Sequence, residues 1–258
     1  MAKAYYATTS RHYDPSWQAD PKLNDVPFWL DLAARYPGHV LEAACGTGRV
    51  LLSLARAGLT VDGLDLTPQL LGILKEKLQG EPPEVQRRVT LHEGDMRDFQ
   101  VGRSYDLIIL PFRPLQHLLT LDDQLRAFQA LAAHLKVGGH LAFNVFYPNY
   151  VWLDKTGEED YEEEWPDPED PALTVRRYFL REAHHRLHQR VEGQFIFRTF
   201  RGPQLVREES SPLHLCYYTY PHLLLLLRSV GLMVVEEYGS FSGDPIDICQ
   251  EMILVARR

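Results

Sequence analysis

Apolar and polar positions alternate along the first 147 residues in a way that predicts strands separated by helices. Short, almost continuously apolar runs such as DLIIL (residues 106–110) are typical of strands covered on both faces. Other segments repeat apolar residues at helical spacing, such as DQLRAFQALAAHL (123–135), with Asp122 as predicted cap and Gly138 and Gly139 as predicted stop. Strands alternating with helices predict an α/β fold with a parallel sheet.

The pattern changes after Tyr147. The acidic stretch KTGEEDYEEEWPDPEDP (155–171) predicts a mobile surface segment, because its like charges repel one another and favour hydration. Residues 172–202 have the composition of strands and predict a small antiparallel insertion of two or three strands. The chain then returns to a core pattern: a helix with Thr219 as N-cap and Gly231 at its end, followed by LMVVEEYG and EMILVAR, which predict an antiparallel hairpin.

Composition narrows the classes of function. The chain has 258 residues and 45% hydrophobic content, enough for a full core. The longest apolar run is LLLLL (223–227), far below the roughly 20 residues of a membrane span, and the N-terminus lacks a signal-peptide pattern, so we expect a cytoplasmic protein. A formal charge of −8 disfavours a nucleic-acid partner and favours a small molecule. The three cysteines, Cys45, Cys216 and Cys249, predict neither a disulfide framework nor a zinc site.

The segment VLEAACGTGRVLLSLARAGLTVDGLD (40–65) contains the main candidate site. Gly46 and Gly48 allow the backbone to approach a ligand and present N–H groups at the start of a helix near Arg49. A dinucleotide fingerprint would need a third glycine where Leu51 stands, and the segment lacks the spacing and ending of a Walker loop. An NAD-dependent oxidoreductase is therefore a weaker hypothesis.

With three later segments, this stretch resembles the class I S-adenosylmethionine-dependent methyltransferases. Residues 40–48 are similar to the first motif of that family, although Ala44 stands where the family often has glycine. VDGLDLT resembles the second motif, in which Asp65 binds the ribose hydroxyls, and EGDMRDF resembles the adenine-binding segment with Asp95 and Met96. YDLIILPFRPLQHL resembles the fourth strand and the active-site loop after it.

The resemblance implies a doubly wound, Rossmann-like sheet of seven strands, the last antiparallel, with an antiparallel β insertion after the fifth strand. It implies one domain made of an N-terminal cap segment (1–39), a cofactor-binding core (40–148), an inserted lid (149–213) and a C-terminal helix and hairpin (214–258). The residues that it assigns to the cofactor are Tyr13, Glu42, Ala44, Gly46, Gly48, Asp65, Leu66, Asp95, Met96 and Leu110. Tyr6 and Trp17 are alternatives to Tyr13 at the methionine end.

Candidate acceptor residues follow the fourth and fifth strands. His117 is the candidate general base, with pocket lining or helix capping as the alternative. Arg113 is a candidate partner for a carboxylate or a plain surface arginine. The side chains that could form the wall of an acceptor pocket are Tyr147, Tyr150 and Trp152. The histidines of HHRLH and His214 do not converge at strand spacing, so we expect no metal.

These features predict an enzyme that transfers a methyl group from S-adenosyl-L-methionine to N or O of a small-molecule acceptor, leaving S-adenosyl-L-homocysteine. A tRNA, rRNA or protein methyltransferase is an alternative, although LPFR stands where a nucleic-acid enzyme would have N-P-P-[YF]. A non-catalytic S-adenosylmethionine-binding module on the same fold is another. The sequence leaves open whether the protein is a monomer or a homodimer.

Overall fold

The structure, a computed structural model, describes residues 2–20, 23–246 and 251–258, with side chains from Thr9 onward. The predictions for Cys249 and for the side chain of Tyr6 lie outside these residues. Contacts divide the chain into two units. We call Asn24–Tyr147 with Tyr218–Arg258 the seven-stranded unit, and Met1–Leu23 with Pro148–Tyr217 the four-stranded unit.

The helices and strands lie in an order close to the one that the sequence predicts. The strands are β1 (Val40–Ala43), β2 (Val61–Asp65), β3 (Val89–Glu93), β4 (Tyr105–Leu110), β5 (Leu135–Phe146), β6 (Glu159–Pro166), β7 (Thr174–His185), β8 (Arg190–Arg201), β9 (Gln204–Cys216), β10 (Met233–Tyr238) and β11 (Glu251–Arg257). The α-helices are α1 (Ala2–Ala19), α2 (Val26–Arg35), α3 (Arg49–Arg56), α4 (Pro68–Gln79), α5 (Pro83–Gln86), α6 (Leu121–Ala133), α7 (Tyr150–Leu153) and α8 (Tyr220–Ser229). Two 3-10 helices span Pro114–His117 and Arg186–His188.

The sheet of the seven-stranded unit has the strand order β10-β11-β5-β4-β1-β2-β3. Neighbours from β3 to β5 pair in parallel, whereas β11 pairs antiparallel with both β5 and β10. The predicted α/β sheet with an antiparallel last strand is therefore confirmed, as is the closing hairpin. The parallel order brings the carboxyl ends of β1, β2 and β4 to one edge, where such sheets bind ligands.

Helices on both faces explain why the central strands are continuously apolar. All described residues of β1 and β2 are buried, and Trp29 of α2, Leu51 of α3 and Leu107 of β4 belong to the same fully buried core. Each buried side chain of this size contributes about 1.5 to 3 kcal/mol of transfer free energy. Among the described residues, no helix is long and apolar enough to cross a bilayer.

The bounds of α6 differ from the prediction. Thr120, and not Asp122, occupies the N-cap, where its hydroxyl accepts a hydrogen bond from the backbone N–H of Asp123 at 3.1 Å. The helix ends at Ala133, because β5 already begins at Leu135. The two glycines that were predicted to stop the helix lie within β5 instead, where a Cβ on Gly139 would lie 3.0 Å from the carbonyl oxygen of Tyr105.

The four-stranded unit corrects two predictions about the insertion. Its sheet is antiparallel in the order β6-β7-β8-β9, so it has four strands and not two or three. The acidic segment that we predicted to be a mobile surface loop contains β6, which pairs along its length with β7. Cross-strand arginines offset the repulsion: Arg176 Nε lies 2.8 Å from Glu164, and Arg177 Nε lies 2.7 Å from Glu162. The side chain of Trp165, also on β6, is buried.

Helix α1 packs against β6 and β9 of the four-stranded sheet. The ring of His12 stacks on Phe197, with centroids 4.5 Å apart, and lies 6.0 Å from Trp165. Burial lowers the pKa of His12 to about 4, so its ring is neutral at pH 7. The N-terminal aromatic segment is therefore a helix whose described side chains form part of a core.

Candidate cofactor site and acceptor loop

The turn between β1 and α3 adopts left-handed backbone conformations at three of five positions. Gly46 has φ +55°, and Gly48, the N-cap of α3, has φ +82°. The φ of Gly48 disfavours any side chain there, and a Cβ would also lie 2.2 Å from Leu74 Cδ1, so the position favours glycine. Ala44 also has φ +61°, which explains why glycine is common at this position in the family that the motif resembles. The N–H groups of both glycines bond within the chain, that of Gly46 to Asp65 at 2.8 Å and that of Gly48 to the carbonyl of Cys45 at 2.9 Å, so they are not the free donors that the sequence predicted.

Asp65 ends β2 beside this turn and is 7% exposed. One carboxylate oxygen accepts a hydrogen bond from the backbone N–H of Gly46, and the other from that of Thr67, each at 2.8 Å. Burial raises the pKa of Asp65, although these two hydrogen bonds oppose the rise. The hydroxyl of Thr67 and the backbone N–H of Leu66 also bond to this carboxylate and act in the same direction on its pKa. The next residue, Leu66, is half-buried.

Glu42 lies on β1 below the turn and is 3% exposed. Its Oε2 atom is buried and has no hydrogen-bond partner among the described residues. Burial raises the pKa of Glu42 well above its ordinary value, and the nearby charge of Arg49 opposes the rise. A buried carboxylate oxygen without a donor is costly. The position therefore fits a ligand that supplies a donor, above all a cationic one.

Sequence reasoning missed the carboxylate of Asp25, the fully buried residue that precedes α2. Both of its oxygens bond to the guanidinium of Arg49, one of them to Nη2 at 2.8 Å. The indole Nε1 of Trp29 donates to the same carboxylate at 3.0 Å. The pair fixes the first residue of α3, directly after the glycine turn. Arg49 was visible in the motif, but no sequence pattern links it to an acid 24 residues earlier.

The adenine-binding candidate Asp95 is paired within the chain. Arg97 Nε lies 3.0 and 3.1 Å from its two carboxylate oxygens, and Arg97 also reaches Asp123 at 2.7 Å. Burial alone would raise the pKa of Asp95, but the hydrogen bonds from Arg97 hold it below its ordinary value. Met96 is half-buried beside it. Leu110, at the carboxyl end of β4, is fully buried.

The loop after β4 contains the candidate base. Phe112 and Arg113 both have left-handed backbone conformations, with φ +66° and +65°, before the 3-10 helix Pro114–His117. His117 is half-buried, and burial lowers its pKa to about 4. Its imidazole is therefore neutral near pH 7, the state that accepts a proton.

Arg113 has an internal partner that the sequence did not reveal. Its guanidinium pairs with the carboxylate of Glu251 on β11. The other oxygen of that carboxylate accepts a hydrogen bond from Asn144 Nδ2 at 2.9 Å. Glu251 is 8% exposed, and Asn144 on β5 is buried. More than 100 residues separate Arg113 from Glu251 in the sequence, which is why no local pattern indicated the contact.

Three of the remaining candidates lie in the four-stranded unit. Tyr13 is a half-buried residue of α1 whose carbonyl accepts a hydrogen bond from Ser16 Oγ at 2.9 Å. Trp152 donates from Nε1 to Asp160 at 2.8 Å and stacks on Phe179. Tyr150 is partly exposed, as is Tyr147 at the end of the seven-stranded unit's first segment.

Two histidines of HHRLH lie beside carboxylates of their own unit. His184 Nδ1 lies 2.7 Å from Asp154, and its Nε2 lies 3.0 Å from the hydroxyl of Tyr217. His185 approaches Glu192 at 3.4 Å. Within the described residues, no three His, Cys, Asp or Glu side chains form a group that could hold a metal ion.

Comparison with known proteins agrees with this geometry. Residues 40–139 match a family model described as a methyltransferase domain. Over 133 residues, the chain is 36% identical to the dTDP-3-amino-3,6-dideoxy-α-D-glucopyranose N,N-dimethyltransferase of Streptomyces fradiae, covering 47% of this chain and 49% of that protein. The chain spans between 30% and 61% of the length of three curated relatives that it matches.

Solved structures cover the chain more completely. The CcbJ methyltransferase of Streptomyces caelestis superposes with a TM-score of 0.80 at 22% identity, over 96% of this chain and 95% of that one. CalS10, an amino pentose methyltransferase from Micromonospora echinaspora solved with S-adenosylmethionine bound, gives 0.69 at 23% identity, over 98% and 96%. At these identities, the likeness concerns the fold.

Residues 40–139 therefore match a methyltransferase domain, and the described residues have the fold of solved S-adenosylmethionine-dependent methyltransferases. S-adenosylmethionine is bound in the solved structures of two of these neighbours, CalS10 and the glycopeptide N-methyltransferase MtfA. The resemblance that the sequence motifs indicated is therefore confirmed.

Proposed function

We propose that the protein transfers the methyl group of S-adenosylmethionine to a nitrogen or oxygen atom of a small-molecule acceptor. The observation that carries the proposal is the polar edge at the carboxyl ends of β1 and β2. There, left-handed Gly46 and Gly48 meet two buried carboxylates, Asp65 and Glu42, of which Glu42 has an oxygen without a donor among the described residues. Buried carboxylate acceptors suit a ligand that carries hydroxyl groups or a cationic amino group.

Each of these groups would bind a different part of the cofactor. The carboxylate of Asp65 would accept the ribose hydroxyls beside the N–H groups of Gly46 and Thr67, or in place of the weaker bonds from the Thr67 hydroxyl and the Leu66 N–H. Glu42 Oε2 would accept a hydrogen bond from the cationic amino group, which meets the need of a buried carboxylate for a donor. Asp95 would receive the adenine amine only beside or in place of Arg97.

When bound, S-adenosylmethionine supplies a methyl group on a positively charged sulfur. The residues of the chain have to hold the acceptor atom in line behind that methyl group, exclude water and accept a proton if the acceptor starts protonated. Orientation alone can contribute roughly 7 to 11 kcal/mol to such a reaction. The acceptor's lone pair forms the new bond, and the bond from carbon to sulfur breaks.

We assign the proton to His117, if a proton has to leave. The ring is neutral near pH 7, since burial lowers its pKa to about 4. A base with so low a pKa binds a proton weakly. His117 can therefore accelerate the reaction only if the protonated acceptor is acidic as well, as it would be where burial destabilises its cationic form. Methyl transfer to an already neutral amine would need no base at all.

An amino group on a sugar is the acceptor class that we would test first. The Streptomyces fradiae relative is named for the N,N-dimethylation of a dTDP-linked amino sugar, and CalS10 is named an amino pentose methyltransferase. An amine also offers a better nucleophile than a hydroxyl. A tRNA, rRNA or protein substrate remains the alternative, which a net charge of −8 makes less favourable for nucleic acid.

Calorimetry with S-adenosylmethionine, S-adenosylhomocysteine and NAD, followed by a turnover assay with amino sugars, tests the proposal. We expect heat from the first two ligands and none from NAD, with formation of S-adenosylhomocysteine when an acceptor is present. A folded protein that binds neither sulfur compound would disprove the proposal. Tight binding without turnover on any amine or alcohol would instead support a non-catalytic binding module.

A further inference from the structure

The loop after β4 holds two consecutive residues in a conformation that L-amino acids rarely adopt. Phe112 and Arg113 have φ +66° and +65°, and neither is glycine. Left-handed backbone at a non-glycine residue is unfavourable and persists only where the surroundings hold it. The contacts of this loop identify what holds it.

On the side of β5 and β11, a buried polar group bonds to the loop. The guanidinium of Arg113 pairs with Glu251, and the backbone N–H of Arg113 lies 3.4 Å from Asn144 Oδ1. Asn144 Nδ2 in turn donates to Glu251 at 2.9 Å, which closes a ring of three residues. Because the backbone and the side chain of Arg113 are both bound, its left-handed conformation is fixed at two points.

On the side of α3, a cation lies over the aromatic ring of the loop. The guanidinium carbon of Arg49 is 5.7 Å from the centroid of Phe112. Arg49 is itself fixed by the buried carboxylate of Asp25. The helix that begins at the glycine turn therefore contacts the same loop that the ring of Glu251 holds from the other side.

We propose that Glu251 and Asn144 are positioning residues for methyl transfer. They hold Phe112 and Arg113 in the left-handed conformation and thereby place the 3-10 helix that ends in His117. This inference rests on the proposed function. It also gives Arg113 a role in the loop in place of the predicted contact with an acceptor carboxylate.

Steady-state kinetics of Glu251→Ala and Glu251→Gln provide the first test. We expect kcat to fall about 10- to 100-fold in Glu251→Ala, because a displacement of about 1 Å can cost a hundredfold in a reaction that depends on orientation. Glu251→Gln should lie in between, since it keeps one acceptor oxygen but loses the charge that binds Arg113. The dissociation constant of S-adenosylmethionine should stay within about twofold, because Glu251 does not contact Asp65, Glu42 or the glycine turn among the described residues.

A double-mutant cycle tests whether the two residues act as a unit. We expect Asn144→Ala to lower kcat to a similar extent and the double variant to be little worse than either single one. If the two effects multiplied, or if cofactor affinity fell in parallel with kcat, the positioning role would be wrong.

Glu236→Gln is the matched control. Glu236 lies on β10 of the same sheet and accepts hydrogen bonds from Arg35, at 2.5 Å, and from Tyr36. The variant removes a comparable ion pair elsewhere in the same unit. We expect it to lower the melting temperature without changing kcat, and an equal loss of kcat would show that any weakening of the sheet has the same effect.

Limited proteolysis gives a readout that does not depend on turnover. Phe112 is 42% exposed, so chymotrypsin can cleave after it once the loop opens. We expect cleavage at Phe112 to be about tenfold faster in Glu251→Ala than in Glu236→Gln, since cleavage follows the population of the open loop. Equal rates would overturn the inference. If the wild-type protein showed no turnover with any acceptor, the proposed function would be wrong. The cleavage rates of the two variants would still show whether Glu251 holds the loop.

Discussion

At the scale of single residues, the glycine turn contains one position that is strained. Ala44 has φ +61°, whereas its neighbour Ala43 lies in β1 with ordinary strand geometry. A left-handed alanine costs roughly 1 to 2 kcal/mol, and glycine costs about 0.4 to 1 kcal/mol in the entropy of the unfolded chain. The free energy of backbone strain at Ala44 is therefore larger than the entropic free energy that a glycine would lose on folding.

We therefore expect Ala44→Gly to stabilise the protein by about 0.5 to 1 kcal/mol. Ala43→Gly is the control, since there glycine loses entropy and relieves no strain, so it should destabilise. Urea unfolding of the two variants measures both effects. A loss of stability in Ala44→Gly would mean that the contacts of the alanine methyl group outweigh the backbone strain.

Asp65 should be needed for both the turn and the cofactor. We expect Asp65→Ala to weaken binding of S-adenosylmethionine by more than about tenfold, because the bonds to the ribose and to the N–H of Gly46 are lost together. Asp62→Asn, a change at another buried carboxylate of β2, is the control and should leave affinity unchanged. Calorimetry measures both. Unchanged affinity in Asp65→Ala would remove this residue from the site.

His117 predicts a particular dependence of activity on pH. Burial lowers the pKa of His117 to about 4, so almost all of its imidazole is neutral well below pH 7. If neutral His117 is the base, kcat should decline on acidification only below about pH 5, and not near pH 6.5. His117→Gln should lower kcat by at least about tenfold and abolish that decline. A pH profile of both proteins with the same acceptor is the measurement. A change of less than about threefold would leave orientation as the main source of rate.

At the scale of helices and strands, β2, β3 and β4 are joined by one buried carboxylate. Asp62 accepts hydrogen bonds from Tyr105 at 2.8 Å, His39 at 3.0 Å and His92 at 3.3 Å. Burial would raise its pKa, but these donors hold the pKa of Asp62 below its ordinary value. The carboxylate therefore stabilises the fold in its charged state.

The lowered pKa of Asp62 fixes the sign of its effect on stability. A carboxyl group whose pKa falls on folding stabilises the protein above its unfolded pKa, and this contribution is lost as the pH drops through the folded value. We expect Asp62→Asn to cost about 1.5 to 3 kcal/mol at pH 7, with a smaller difference from the wild type below about pH 3. Unfolding of both proteins by urea across this pH range checks it, and a difference that grew on acidification would contradict the argument.

The sequence predicted those parts of the fold that depend on local patterns. The strands of the seven-stranded sheet, the start of α3 at Arg49 and the closing hairpin follow from apolar spacing and glycine turns. Strand β6 was missed because its run of acidic side chains resembles a solvated loop until the arginines of β7 lie opposite. Asp25 and Glu251 were missed for a related reason, since their partners Arg49 and Arg113 are distant in sequence.

At the scale of the whole molecule, the two units hold different sets of candidate residues. Every hydrogen bond described above for Gly46, Asp65 and Arg49 lies within the seven-stranded unit, whereas Tyr150 and Trp152 belong to the four-stranded unit. We propose a partial separation, in which Tyr150 and Trp152 act in acceptor selection only, although the acceptor candidates His117, Arg113 and Tyr147 lie in the seven-stranded unit and the cofactor candidate Tyr13 lies in the four-stranded unit. The expected lid role of residues 149–213 remains a prediction.

We expect Trp152→Ala to leave the affinity for S-adenosylmethionine within about twofold and to raise the KM of the acceptor by more than about fivefold, because half-buried Trp152 offers a large aromatic surface of the kind that lines small-molecule pockets. Leu187→Ala, at an exposed position of the same unit, is the control and should change neither quantity. Calorimetry and acceptor saturation curves measure the two effects. Loss of cofactor affinity in Trp152→Ala would contradict the separation.

The position of β11 has a consequence for how the protein is made. Residues 251–257 lie between β5 and β10 in the sheet, although they are synthesised after both. While the ribosome is still translating the last of them, the free edge of β5 stays uncovered and β10 has no neighbour. The nascent chain therefore passes through a stage with an open sheet edge, the kind of surface that associates with other chains and that chaperones bind.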